Sequence, residues 1–341
     1  MPAPPLIVQT TYAELVDRCA AAAFHRDFAG DGAFIPKTVK GRKYWYFQEP
    51  SSKGRAQKYV GPETPELLVR IEQHRQALSD ERERRSLVQT LIRSFGMPQT
   101  IPEIGNILEA LAKAGVFRLR GVLVGTLAYQ TYSAMLGQKL PASVMQTGDV
   151  DIAQFANVSV AVEDEIPPIL DVLKETDKTF RPIPSLHGSH VTSYTAKNGL
   201  RVDFLTPNEA ADGDEPRHLK ALKTDAQPLR FLDFLIREPE QAVVLHGAGV
   251  CVLVPSPQRF AVHKLIVSRR RPEGTAKRDK DIRQAEALLD VLAQKRPFEL
   301  KEAWNEARER GPKWREAMHE AMTMLDPGVR DATLKIGCHA V

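Results

Sequence analysis

The chain has 341 residues, 43% hydrophobic and 26% charged, with a formal net charge of +4 and a pI near 8.9. That length suits two or three domains with a sizeable core, and the mild basicity permits polyanionic partners without demanding them. No stretch is long and apolar enough to span a bilayer, and the leader MPAPPLIVQT lacks the basic start and apolar run of a signal peptide. Cys19, Cys251 and Cys338 are far apart and in no metal-ligand spacing, so the expectation is a soluble, cytoplasmic protein with reduced thiols and no membrane partner.

Thr11 to Phe28 reads as a helix, with Thr11 as N-cap and Glu14 closing a capping box. In GAFIPKTVKGRKYWYFQEPSSKGRAQKYVG, residues 32–61, turn signals at Lys40-Gly41-Arg42 and at Pro50 to Gly54 separate β-rich runs. The pattern predicts a three-stranded antiparallel sheet. Lys37, Lys40, Arg42, Lys43, Lys53, Arg55 and Lys58 interleave there with Tyr44, Trp45, Tyr46, Phe47 and Tyr59. Cations beside aromatic platforms suit nucleic-acid binding; an aromatic face packed on the core, with lysines solubilising the other, fits the same pattern. Pro65 to Phe95 reads as one long helix on the stripe Leu67, Leu68, Ile71, His74, Leu78, Leu87, Leu91 and Ile92, with the mixed-charge run from Asp80 to Arg85 as a solvated face. Gly96-Met97-Pro98 ends it, and a further helix covers Glu103 to Ala114.

The stretch from Leu119 to Phe155 carries the chemistry. Val122-Leu123-Val124 reads as a short strand that breaks at Gly125-Thr126, followed by a helix from Leu127 to Leu136, a loop, and a strand at Asp149-Val150-Asp151-Ile152-Ala153. Residues two apart on a strand share a face, so Asp149 and Asp151 project together while Val150 and Ile152 point into the core. Paired carboxylates repel unless a cation lies between them, and an oxygen-only setting suits a hard divalent ion such as Mg²⁺. Gly125-Thr126 opens a helix where phosphate oxygens can approach backbone N–H groups. A third carboxylate, Asp203, lies on the strand Gly199 to Leu205, reached from His190 to Ala196 across a Lys197-Asn198-Gly199 turn. Paired beside the Asp149 strand, it can serve as shared ligand, general base, or both.

Farther on, Glu163 to Glu175 reads as a helix, and Arg181 to His190 as a loop whose His187 and His190 either approach the site or stay on the surface. Asp212 to Lys223 reads as an exposed connection, and Ala242 to His246 with Val250 to Val254 as a hairpin. Helices follow at Gln258 to Arg271, Thr275 to Gln294, Phe298 to Arg310 and Pro312 to Leu325, with Trp304 and Trp314 as packing residues. Between residues 264 and 283, Lys264, Arg269, Arg270, Arg271, Lys277, Arg278, Lys280 and Arg283 outnumber Glu273, Asp279 and Asp281. Such a cluster can clamp a triphosphate, grip an RNA acceptor, or form a plain basic helical surface.

The order of apolar strand, Gly-Thr, helix, Asp-x-Asp strand and later lone-Asp strand resembles the nucleotidyltransferase superfamily that includes DNA polymerase beta. More narrowly, it resembles bacterial nucleotidyltransferase-fold proteins related to abortive-infection-type toxins. The likeness covers Leu119 to Leu205 well and continues more weakly toward Leu292. It implies an α/β (α+β) fold with a polymerase-beta-like core at 98–255, a β-containing module at 1–97 and a helical domain at 256–341. It further implies that Asp149, Asp151 and Asp203 are the catalytic, metal-holding carboxylates for two Mg²⁺ ions, and that Gly125, Thr126, Lys264 and Asp281 bind the nucleotide. The implied reaction moves a nucleoside monophosphate from an NTP to a hydroxyl of RNA, tRNA or protein, in a toxin or an RNA-processing role. The alternative is an inactive nucleotide- or RNA-binding protein on the same fold. Three features depart from the family pattern: Thr126 where Gly or Ser is usual, a long interval of 22 residues (127 to 148) before the Asp pair, and Gln146-Thr147-Gly148 where the toxins often carry an Arg.

Overall fold

The structure, a computed structural model, describes residues 6–28, 33–39, 42–48, 57–73, 81–145, 147–157, 164–183, 188, 190–208 and 214–338. The predicted turns at 40–41 and 50–54, the middle of the long helix at 74–80, and Gln146, Pro184 and His187 lie outside the described residues.

Helix α1 (Leu6–Asp27) begins upstream of the predicted cap. Val8, Tyr12, Leu15 and Cys19 form one buried stripe, so the helix continues through Thr11 and no capping box forms there; Glu14 pairs with Arg18 instead, at 3.0 Å. Strands β1 (Ala33–Val39), β2 (Arg42–Gln48) and β3 (Gln57–Pro62) make the antiparallel sheet in the order β1-β2-β3. Its aromatic residues are used in packing. Phe34 and Phe47 meet Phe24, Phe28 and residues Leu67 and Ile71 of α2 (Pro65–Gln73), while Tyr46 is buried and Tyr59 packs on the main core. The Tyr59 carbonyl accepts from Arg118 at 3.0 Å, and Arg118 also pairs with Asp164 at 2.5 Å, which fastens the sheet to the core. Of the long helix, α2 and α3 (Glu81–Gln89) are described, and α3 runs into a π-helical turn, Thr90–Ser94.

The central sheet is mixed. Strands β4 (Val122–Val124), β5 (Asp149–Ala153), β8 (Arg201–Pro207), β10 (Thr224–Leu229) and β9 (Arg217–Leu219) lie in the order β4-β5-β8-β10-β9, with β6 (Arg181–Ile183) and β7 (Ser193–Thr195) branching from β8. The ladders β5/β8 and β8/β10 are parallel; β4/β5, β7/β8 and β10/β9 are antiparallel. Helices α4 (Pro102–Ala114), α5 (Gly125–Met135) and α6 (Ile169–Thr176) accompany it. Four expectations are corrected here. The helix expected from Glu163 starts only at Ile169, because Pro167 and Pro168 disfavour helix before them. The loop expected at 181–190 contains β6. The supposedly exposed connection at 212–223 contains β9 and a 3₁₀ turn, with Leu219, Ala221 and Leu222 buried. A short helix, α7 (Leu232–Ile236), follows β10 where none was expected.

The hairpin β11 (Glu240–Val244) and β12 (Val250–Val254) leads to α8 (Pro257–Ser268), α9 (Ala276–Lys295), α10 (Pro297–Glu309), α11 (Pro312–Met322) and an unpredicted α12 (Pro327–Lys335). Proline at the first helical turn opens α8, α10, α11 and α12, where its missing N–H costs no hydrogen bond. One apolar cluster takes in residues of β4, β5, β8 and α8 to α11, including Trp304 and Trp314, so the C-terminal helices share the sheet's core. Gln284 reaches from α9 to the Val144 carbonyl at 2.8 Å, fixing the loop that precedes β5. Among the described residues no helix is long and apolar enough to cross a membrane, and Cys19, Cys251 and Cys338 are not joined in disulfides.

Candidate active site

The carboxylates are placed by strand register. β5 lies between β4 and β8, and Asp151 is paired with Val124 on one side and Asp203 on the other. Directly paired residues on adjacent strands share a face about 4.8 Å apart, and Asp149, two residues before Asp151, shares it too. The alternate residues Val150, Ile152, Val202 and Phe204 are fully buried on the opposite side. A buried apolar face thus fixes which way the acids point.

Gly125 follows β4 directly and is the first residue of α5, with φ +67°. A Cβ there would stand 2.3 Å from Asp151 Oδ2. Gly125 and Thr126 are therefore the first two helical residues rather than a turn ahead of Leu127, and the N–H groups of a first helical turn have no partner inside the helix. Gly125→Ala is expected to lower transfer about 100-fold or more, because the strained backbone and the contact push Asp151 out of place. Steady-state rates of the variant, compared with its thermal melting, check this.

Burial, then the neighbouring Asp203 and Asp149, push the Asp151 carboxyl up to about 6, against the opposing pull of Lys264 and Lys277. Asp203 Oδ1 accepts from Ser193 Oγ and, at 2.7 Å, from Arg201 Nε; Arg201 also reaches Ser193 Oγ at 3.1 Å. Thr147 Oγ1 accepts from the Asp149 N–H at 3.1 Å, setting the start of β5. Ser193, Arg201 and Thr147 carry no site role that the sequence pattern alone picks out. The hairpin register was the available signal, since the Lys197-Asn198-Gly199 turn pairs Ser193 with Asp203.

A cavity of about 660 Å³ opens over this face. It is lined by Gly125, Thr126 and the three carboxylates, by Phe260, His263, Lys264 and Val267 of α8 with Arg270 just past its end, by Lys277, Lys280 and Asp281 of α9, and by Leu229 to Leu232. All seven residues expected in the site thus border one space. Lys264 and Asp281 meet each other at 2.5 Å, and Arg271 closes on the other oxygen of Asp281, also at 2.5 Å. Burial and the nearby Lys264 lower the Lys280 pKa, while Asp281, Asp149 and Asp151 raise it. The basic cluster divides: Arg278 is buried and pairs with Glu273, and Arg269 pairs with Glu320, so neither borders the cavity. His190 and His218 both bond Asp225, at 3.2 and 3.0 Å, away from the cavity. His263, unremarked in the sequence, does border it; burial holds its imidazole down at about 3, neutral, and its Nδ1 has no hydrogen-bond partner among the described residues.

Among the described residues no three His, Cys, Asp or Glu side chains form a ready metal cluster. The donor set nevertheless fits a hard divalent cation, being oxygen-only, and burial followed by the neighbouring Asp203 and Asp149 disfavours the ionised Asp151 in a way that a cation would relieve.

A mixed sheet whose first strand runs straight into a helix, beside a carboxylate-bearing strand, is consistent with an α+β nucleotidyltransferase fold. A family model described as nucleotidyltransferase matches residues 102–309, and the chain belongs to that family. No curated protein and no solved structure matches it. The protein is accordingly a transferase that takes an NTP as substrate and moves a nucleoside monophosphate.

Proposed function

We propose that the protein is a Mg²⁺-dependent nucleotidyltransferase acting on a hydroxyl acceptor of RNA or protein, with the cavity over β5 and β8 as its active site. The pairing of Asp151 with Asp203, against the helix start at Gly125, is the observation that carries this reading. Asp149 and Asp151 would hold the metal, with Asp203 as the third carboxylate. Bound divalent cations supply charge neutralisation on the attacking and leaving oxygens. The chain's own residues do the rest. The N–H groups of Gly125 and Thr126 seat phosphate oxygens, and Lys264, Lys277 and Lys280 offset the charge of the triphosphate. Asp203 takes the proton as the acceptor oxygen bonds to the α-phosphorus, and the bond to pyrophosphate breaks. The Ser193 and Arg201 hydrogen bonds hold Asp203 in one orientation for that step.

Incubation with each α-labelled NTP, Mg²⁺, total cellular RNA and total cellular protein tests the proposal. Label in RNA or protein identifies both acceptor class and base. NTP binding with no label in either fraction contradicts the assignment of these acceptors.

A further inference from the structure

We propose that the stacked pair Phe231–Arg270 seats the nucleobase of the incoming nucleotide, at the end of the cavity away from the carboxylates; this rests on the nucleotide-binding reading above. The sheet wall of the cavity passes from carboxylate to apolar, while the helical wall stays cationic from Lys264 to Arg270. On the sheet, Leu205 lies two residues past Asp203 on the same face, about 7 Å along the strand, and β10 beside it ends at Leu229, leading into Phe231. On the helical side, Arg270 lies six residues beyond Lys264, roughly 9 Å along the axis, in the turn just past α8. The two walls meet where the Arg270 guanidinium sits over the Phe231 ring, 5.2 Å from its centroid. A metal-compatible end rich in lysines, joined to a flat end that can stack a ring, matches the polarity of a nucleotide.

The pair is built to hold its shape. Phe231 has φ +68°, a backbone conformation that a bulky L residue adopts only where its surroundings impose it, and one that gathers at ligand sites. Trp314 contacts the ring in a T-shaped arrangement at 4.9 Å. Arg270 differs from its neighbours: Arg269 and Arg271 pair with Glu320 and Asp281, whereas among the described residues Arg270 has no carboxylate partner. Its planar guanidinium, exposed and backed by an aromatic ring, is a surface on which any base can stack.

Calorimetric titration with ATP and with inorganic tripolyphosphate, which lacks base and ribose, tests this in Mg²⁺ without acceptor. Wild type is expected to bind ATP more tightly than tripolyphosphate. Phe231→Ala and Arg270→Lys should each lose about five- to a hundredfold in ATP affinity while tripolyphosphate binding stays unchanged. Arg270→Lys keeps the charge on an exposed residue, so it reads stacking even if Phe231→Ala fails to fold. Equal losses for both ligands, or none, overturn the proposal. Equal wild-type affinity for both ligands overturns the base seat alone, and binding of neither overturns the nucleotide reading beneath it.

Discussion

Asp151→Asn is expected to abolish nucleotidyl transfer and, in metal-free buffer at pH 8, to make the protein more stable. Loss of solvation at this partly buried residue, then the neighbouring Asp203 and Asp149, push the Asp151 carboxyl from 3.8 up to about 6. Between those two pH values the folded state binds more protons than the unfolded one, so this residue's contribution to stability falls as pH rises through 6. The displacement corresponds to about 3 kcal/mol against the ionised form. The neutral amide removes that penalty, and a gain of roughly 1–3 kcal/mol at pH 8 should shrink toward zero at pH 4. Transfer should fall about 1,000-fold or more, because the amide can no longer balance a cation's charge. Urea unfolding with a chelator present, at both pH values, checks the stability half. A large loss of stability at pH 8 would instead assign Asp151 a structural role.

The second large effect is expected at Asp281. This carboxylate is 3% exposed and accepts from Lys264 and Arg271, one on each oxygen, at 2.5 Å. Asp281→Asn leaves Lys264, itself mostly buried, without its counter-charge. Removing one partner of a buried ion pair costs about 3–5 kcal/mol, whereas exchanging the pair for apolar residues of similar size is often neutral. Asp281→Asn should therefore lower the urea midpoint substantially, and Lys264→Met with Asp281→Leu should recover most of the loss. Both should transfer poorly, since Lys264, with Lys277, also acts on Asp151 and each change disturbs that lysine. A change under about 1 kcal/mol for Asp281→Asn would mean that solvent replaces the lost pairing.

How much of this was legible in the chain depended on range and repetition. Asp149-Val150-Asp151-Ile152 announces its strand because alternation over a few residues is enough to assign faces, and Gly125 stands where a helix must start against a carboxylate. The three-residue strands β6 and β9 offer no such repeat, and both were missed. Partners brought from afar were equally hidden. Asp281 meets Lys264 across two helices, and Ser193 meets Asp203 only once the hairpin register is fixed. Charge alone also carried no direction, since Arg278 and Lys277 are adjacent in the chain, yet one is buried against Glu273 and the other borders the cavity. The aromatic sheet makes the same point, for its rings fit a nucleic-acid platform by composition and are used largely for packing on α1, α2 and the core.

Nucleotidyl transfer is measured most plainly by the stoichiometry of phosphate products during turnover of an α-labelled NTP. One pyrophosphate is expected for each labelled monophosphate transferred, dependent on added Mg²⁺ and absent in Asp151→Asn. Release of orthophosphate in place of pyrophosphate, or transfer that persists in excess chelator, would contradict it.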